Sequence, residues 1–150
     1  MAIVKGNEAE KEAERTAQPN KKGRFTGISF VVLAIAFALS VAIQVFLAGM
    51  SVFMNPIHWS KHVSFVHIFE YLPLLMLMFG FVGRLQAKLL WQSAVCFALI
   101  IVMYFTANVI SVAPVAAAFH PVAALVLFGL AVLIVPRAWR TVFGGKEASV

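Results

Sequence analysis

The chain has 150 residues, of which 62% are hydrophobic and only 12% charged, and its mean hydropathy is +0.93. Soluble domains carry about a quarter charged residues and under half apolar ones, so a water-soluble globular fold is excluded. Five of the six acids (Glu8, Glu10, Glu12, Glu14 and Glu147) fall in the terminal tails and aspartate is absent, which removes the raw material of paired-carboxylate hydrolases, EF-hands and Asp-based phosphotransferases. A single cysteine, Cys96, excludes a disulfide framework and CxxC sites. No glycine-rich phosphate cradle occurs. Lys and Arg outnumber acids 12 to 6. In so apolar a chain that excess reports membrane topology, and no nucleic-acid partner is expected.

Residues 1–24 form a polar tail of mixed charge, with Lys11–Glu14 and Glu12–Arg15 at helical i,i+3 spacing and Gln18-Pro19-Asn20 as a linker. The bundle proper occupies 25–140, and 141–150 form a short C-terminal tail. Four apolar runs follow the first tail, at about 28–49, 63–82, 89–110 and 115–135. Some 20 residues at 1.5 Å each cross a ~30 Å hydrocarbon core. The runs are too long, and too continuously apolar, for the alternating strands of a transmembrane barrel. The fold class is therefore all-α, an integral membrane four-helix bundle running up-down-up-down, with spans 2 and 4 diagonal.

Charge fixes the expected orientation. Lys21, Lys22 and Arg24 precede span 1, Arg84 and Lys88 lie between spans 2 and 3, and Arg137, Arg140 and Lys146 follow span 4. The two opposite connections hold only Lys61. The positive-inside rule puts both termini in the cytoplasm, in a bacterial inner membrane. Trp59, Trp91 and Trp139 fall at span ends, where indoles sit best.

Polar groups inside a membrane are expensive and hence informative. Gln44 lies near the outer end of span 1, His67 and Glu70 in the outer third of span 2, Asn108 near the outer end of span 3 with Tyr104 one turn below, and His120 near the outer start of span 4. Four helices thus share one polar layer, ~5–10 Å below the outer surface at helical rise. Two imidazoles in apolar surroundings suit a low-spin haem, each iron face taking one neutral nitrogen. On this reading His67 and His120 are the metal ligands of a haem b, Glu70 orients a ligand or carries protons, and Gln44 and Asn108 line the pocket. Ala116, Ala117 and Ala124 beside His120 are small enough for a porphyrin. Pro121 leaves the carbonyl of Ala117 unbonded, so the helix kinks or begins there. A quinone site is one competing reading. Another is a structural polar layer in which His67 and Glu70 bond to Gln44 and Asn108 and fix the packing. His58 and His62 are placed in the outer loop with Trp59 and Lys61, as solvated interfacial side chains; the alternative is that Lys61 and His62 pair with haem propionates directed toward that surface.

The pattern Gln44-Val-Phe-Leu-Ala-Gly49, His67 leading span 2, then His120-Pro121-Val122-Ala123-Ala124-Leu125 and Arg137-Ala138, resembles a little-characterised family of small bacterial four-span membrane proteins. That family has HPVNA where this chain has HPVAA, so Ala123 replaces an Asn. The His67–Glu70 step, with a second histidine two helices on, is remotely similar to half of the haem A synthase bundle. That enzyme's order is closer to Glu-before-His, and its duplicated eight helices are absent here, so synthase activity does not carry over.

The expected function is a small haem-bearing electron-transfer or accessory subunit of a larger respiratory or photosynthetic-type membrane complex, without enzymatic activity of its own. It would exchange electrons with a quinol or an extracytoplasmic carrier. The alternative is a non-catalytic subunit that holds a membrane assembly together.

Overall fold

The computed structural model describes residues 21–144; the polar tail over 1–20 and the chain beyond residue 144, with the expectations placed on them, lie outside the described residues. Six α-helices and one 3-10 turn follow in order: α1 (Lys21–Phe53), the turn (Pro56–His58), α2 (Trp59–Phe69), α3 (Leu72–Val82), α4 (Ala87–Asn108), α5 (Pro114–Ala118) and α6 (His120–Phe143). They compose four stretches long and apolar enough to cross a membrane, Gly23–Phe53, Pro56–Val82, Ala87–Asn108 and Pro114–Phe143.

Proline punctuates this chain. α1 holds none and runs for 33 residues, past both ends of its apolar core. It stops before Asn55-Pro56, where the Asn55 side chain accepts from the Ile57 amide at 2.9 Å and opens the 3-10 turn. Span 2 is interrupted at Glu70-Tyr71, because Pro73 has no N–H for the carbonyl of Phe69 four residues back. Its two halves are the stretches α2 and α3. Span 4 is likewise divided at Phe119, and α6 begins at His120 with Pro121 in its first turn, as the sequence predicts.

Span 1 packs against spans 2 and 4, and span 3 packs against the same two, which leaves spans 2 and 4 on a diagonal. Along α1 the residues Phe30, Ala34, Phe37, Val41 and Gln44 recur every three or four positions and are buried, the signature of one inward helix face. They meet Phe69 and Met76 from span 2, Leu89, Cys96 and Ile100 from span 3, and Leu127, Ala131, Ile134 and Ala138 from span 4. Large apolar side chains such as Phe46, Phe81, Phe105 and Leu125 point outward in every span, as lipid-facing surfaces require. At the end of the bundle where α1 begins and α6 ends, Gly83 brings its backbone against Thr26, and Gly27 lies against Val142. Close backbone approach through small residues is how membrane helices gain packing energy.

Candidate functional site

The polar residues of the opposite end are divided between three clusters, each joining neighbouring spans. The first joins spans 1 and 2. Gln44 is only 8% exposed, and its amide nitrogen donates to the His62 carbonyl at 2.9 Å and lies 3.3 Å from His62 Nε2. His62 Nδ1 lies 3.1 Å from the Gln44 carbonyl, its acceptor when that nitrogen carries the proton. The Trp59 indole stacks on the His62 ring with centroids 4.9 Å apart. His62 is therefore a half-buried member of helix α2, where the sequence places it in a solvated loop. The signal for it is its spacing: His62 lies six residues beyond Pro56, just as His120 lies six residues beyond Pro114. Gln44 Oε1 is buried with no hydrogen-bond partner.

The second cluster joins spans 2 and 3. The Tyr104 hydroxyl donates to Glu70 Oε2 and lies 2.9 Å from His67 Nδ1, while His67 Nδ1 and Glu70 Oε2 are 3.5 Å apart. With the phenol proton directed at Glu70, the phenol oxygen accepts from the imidazole N–H. The cluster has one open side: the His67 side chain is 57% exposed, the Glu70 side chain 14%. Glu70 itself stands at the interruption of span 2, between α2 and α3. Asn108 is exposed and donates to the Tyr104 carbonyl one turn back, at 2.8 Å. Its amide thus fastens the end of α4 instead of reaching His67 or Glu70.

The third cluster joins spans 3 and 4. His120 Nδ1 lies 3.1 Å from the Met103 carbonyl and 3.0 Å from Thr106 Oγ1, and the Thr106 hydroxyl itself donates to the Met103 carbonyl at 3.0 Å. Nδ1 is therefore the protonated nitrogen that the backbone calls for, which leaves Nε2 as the free lone pair. His62 repeats the Nδ1 contact on span 2, with the Gln44 carbonyl in the role of the Met103 carbonyl, but its Nε2 is already engaged, as the acceptor of the Gln44 amide 3.3 Å away. Between the first two clusters the interior is aromatic: Phe69 packs on Phe37 and Phe65 with centroids 6.1 and 5.4 Å apart.

The expected site residues thus separate. Gln44 is paired with His62; His67 and Glu70 are drawn together by Tyr104; His120 is held by Met103 and Thr106; Asn108 stands aside. Of the residues the structure adds, Thr106 has no place in the sequence reading, Tyr104 is placed in the layer but given no role, and His62 is placed at its outer edge. Among the described residues no three His, Cys, Asp or Glu side chains are grouped to hold a metal ion through side chains alone.

Residues 44–110 match the model of a family of unknown function (DUF6220). The matched segment begins at Gln44 and contains His62, His67, Glu70 and Tyr104, whereas His120 lies beyond it. No curated protein and no solved structure matches the chain.

Proposed function

We propose that the protein is a small b-type haem-binding membrane protein that serves as an electron-transfer or accessory subunit of a larger membrane complex. The observation that carries the reading is the way His62 and His120 are fastened. They stand on the diagonal spans 2 and 4, each six residues beyond the proline that opens its span, and each has Nδ1 within hydrogen-bond distance of a backbone carbonyl of the neighbouring span. Metal-ligating histidines are fixed through their second ring nitrogen in this way, which sets the tautomer and leaves Nε2 as the ligating atom; at His62 the Gln44 amide would have to turn away from Nε2 to make room for iron. The donor set fits the group: two neutral imidazoles, apolar aromatic walls, and beside them the unpartnered Gln44 Oε1, an acceptor that a bound molecule can satisfy.

Bound haem would supply one-electron redox chemistry. The chain's own residues would do the rest. The carbonyls of Gln44 and Met103 orient the two imidazoles, Phe37, Phe65 and Phe69 exclude water, and the Glu70–Tyr104–His67 cluster holds a proton that can move between Glu70 Oε2, the phenol oxygen and His67 Nδ1 as nearby charge changes. One haem near one face cannot carry electrons across ~30 Å of hydrocarbon, so exchange is with a quinol, an extracytoplasmic carrier or a partner subunit on that face.

A second pairing, His67 with His120, is favoured by one observation: His67 also has Nδ1 engaged, by Tyr104. Reduced-minus-oxidised spectra of the purified protein and its variants separate the two. H62A and H120A should each abolish the low-spin bands while H67A keeps them. Retention in H62A with loss in H67A establishes the second pairing, and full retention in H120A contradicts both.

A further inference from the structure

The opposite end of the bundle, away from all the histidines, holds a site of a different kind. A cleft of about 270 Å³ opens between the start of α4 and the end of α6, lined by Gln86, Lys88, Leu89, Arg137, Arg140 and Thr141. Three of its six walls are cations. Glu70 is the only carboxylate among the described residues and sits at the far end of the molecule, and no ion pair joins Lys88, Arg137 or Arg140 to any described residue. The floor is not a solvated charge run: Leu89 is buried, and the Thr141 hydroxyl is turned to the Arg137 carbonyl at 2.9 Å. The cleft also lies at the amino terminus of the 22-residue helix α4, where the Leu89 amide bonds back to the Gln86 carbonyl at 2.9 Å and Gln86 makes no side-chain cap for the amides before it. Such a terminus favours an anion.

The surroundings say which anion. Trp91 lies one turn beyond Lys88, Trp139 precedes Arg140, and both indoles are exposed, with Trp139 against Phe143 at 4.6 Å. Indoles at this level mark the boundary between headgroups and hydrocarbon. A ligand whose phosphate enters the cleft therefore has its remaining bulk against an apolar wall. We propose that this cleft binds the phosphodiester headgroup of an anionic phospholipid, with Arg137 and Arg140 on the phosphate, Lys88 and the start of α4 completing the cradle, and the acyl chains lying along spans 3 and 4. Basic pockets between transmembrane helices are the expected form of such sites, and an arginine fork matches phosphate geometry better than a point charge does. The proposal is independent of haem and of the identity of the imidazole pair.

The test uses the full chain in a neutral detergent and follows thermal unfolding while phosphatidylglycerol or phosphatidylcholine is titrated in. Phosphatidylglycerol should raise the midpoint, phosphatidylcholine should not, and added salt should erode the effect. In R137Q/R140Q the apparent lipid affinity should fall on the order of tenfold or more, since each cation near an anionic headgroup contributes a several-fold factor. R140Q alone, at an exposed position, should show part of that loss and guards against a double variant that does not fold. R84Q removes one positive charge from the same end but outside the cleft, and should titrate as the wild type does. Equal responses in wild type and R137Q/R140Q overturn the proposal, as does an R84Q loss equal to that of R140Q, which would mean diffuse charge attraction. A full shift produced by inorganic phosphate alone would assign the cleft to free phosphate and overturn the lipid source.

Discussion

Tyr104 is the residue on which the outer polar layer turns, because one hydroxyl satisfies both Glu70 and His67. Replacing it with Phe leaves two polar groups in apolar surroundings without their shared partner. Y104F should therefore lower stability in detergent by about 1–2 kcal/mol, read from equilibrium unfolding. In the Y104F background, E70Q should cost less than it does in the wild type, because the contact it would disturb is already gone; strictly additive effects would show that the bond carries no energy. E70Q alone should retain haem but lose most of the pH dependence of its midpoint potential, which approaches about 59 mV per pH unit for an ideally coupled one-electron site. Identical slopes in wild type and E70Q would reduce Glu70 to a packing contact. Sequence placed Gln44, Glu70 and His120 in one layer because depth follows from counting residues along a helix. It did not give their partners, which depend on how far each helix is rotated about its axis. Gln44 consequently faces His62 rather than Glu70, and His62 looked like loop because Asn55-Pro56 stands so near.

Helices 1 to 6 follow from rules that act at the scale of a few turns. Hydropathy located all four spans, and Pro121 marked the start of α6. Pro73 interrupts the apolar run of span 2 in the sequence, but hydropathy does not show where the helix breaks, because the effect of the proline falls four residues earlier, at Phe69. The ends of α1 were underestimated for a related reason: hydropathy reports where lipid begins, whereas a helix continues until a residue stops it, here Asn55-Pro56. Packing between elements is tightest at the glycines. A Cβ on Gly83 would stand 2.6 Å from Thr26 Oγ1 and 3.0 Å from the Phe79 carbonyl, whereas one on Gly129 would meet nothing within 4 Å. The Thr26 hydroxyl also donates to the Gly23 carbonyl, so it does not turn aside freely. G83A should thus destabilise by about 1–3 kcal/mol through overpacking, and G129A should be neutral or stabilise by up to about 1 kcal/mol through helix propensity. Thermal unfolding of the two variants side by side checks the account, and equal midpoints would contradict it.

At the scale of the molecule, charge and polarity sort to opposite ends. Lys88, Arg137 and Arg140 gather at one end, and the imidazoles, the carboxyl and the phenol at the other. Eight Lys and Arg (21, 22, 24, 84, 88, 137, 140 and 146) flank the first end and Lys61 alone the second. That bias should place the cationic end and both termini in the cytoplasm. A reporter fused after residue 150 should be active only on the cytoplasmic side, and activity solely on the outer side would invert the assignment. The bundle and its diagonal pair were legible in the sequence because short connections leave four spans little choice of neighbours. The ligand was not, because two imidazoles on facing helices serve packing as well as they serve iron, and only occupancy distinguishes them. The most direct measurement is the haem content of the full-length protein, purified from a haem-replete host and assayed as its pyridine haemochrome. The account predicts about one haem b per chain, with a sharp Soret band and split α and β bands on reduction. A fully folded, colourless protein with no haemochrome would contradict it and leave the polar layer as the packing device of a structural subunit.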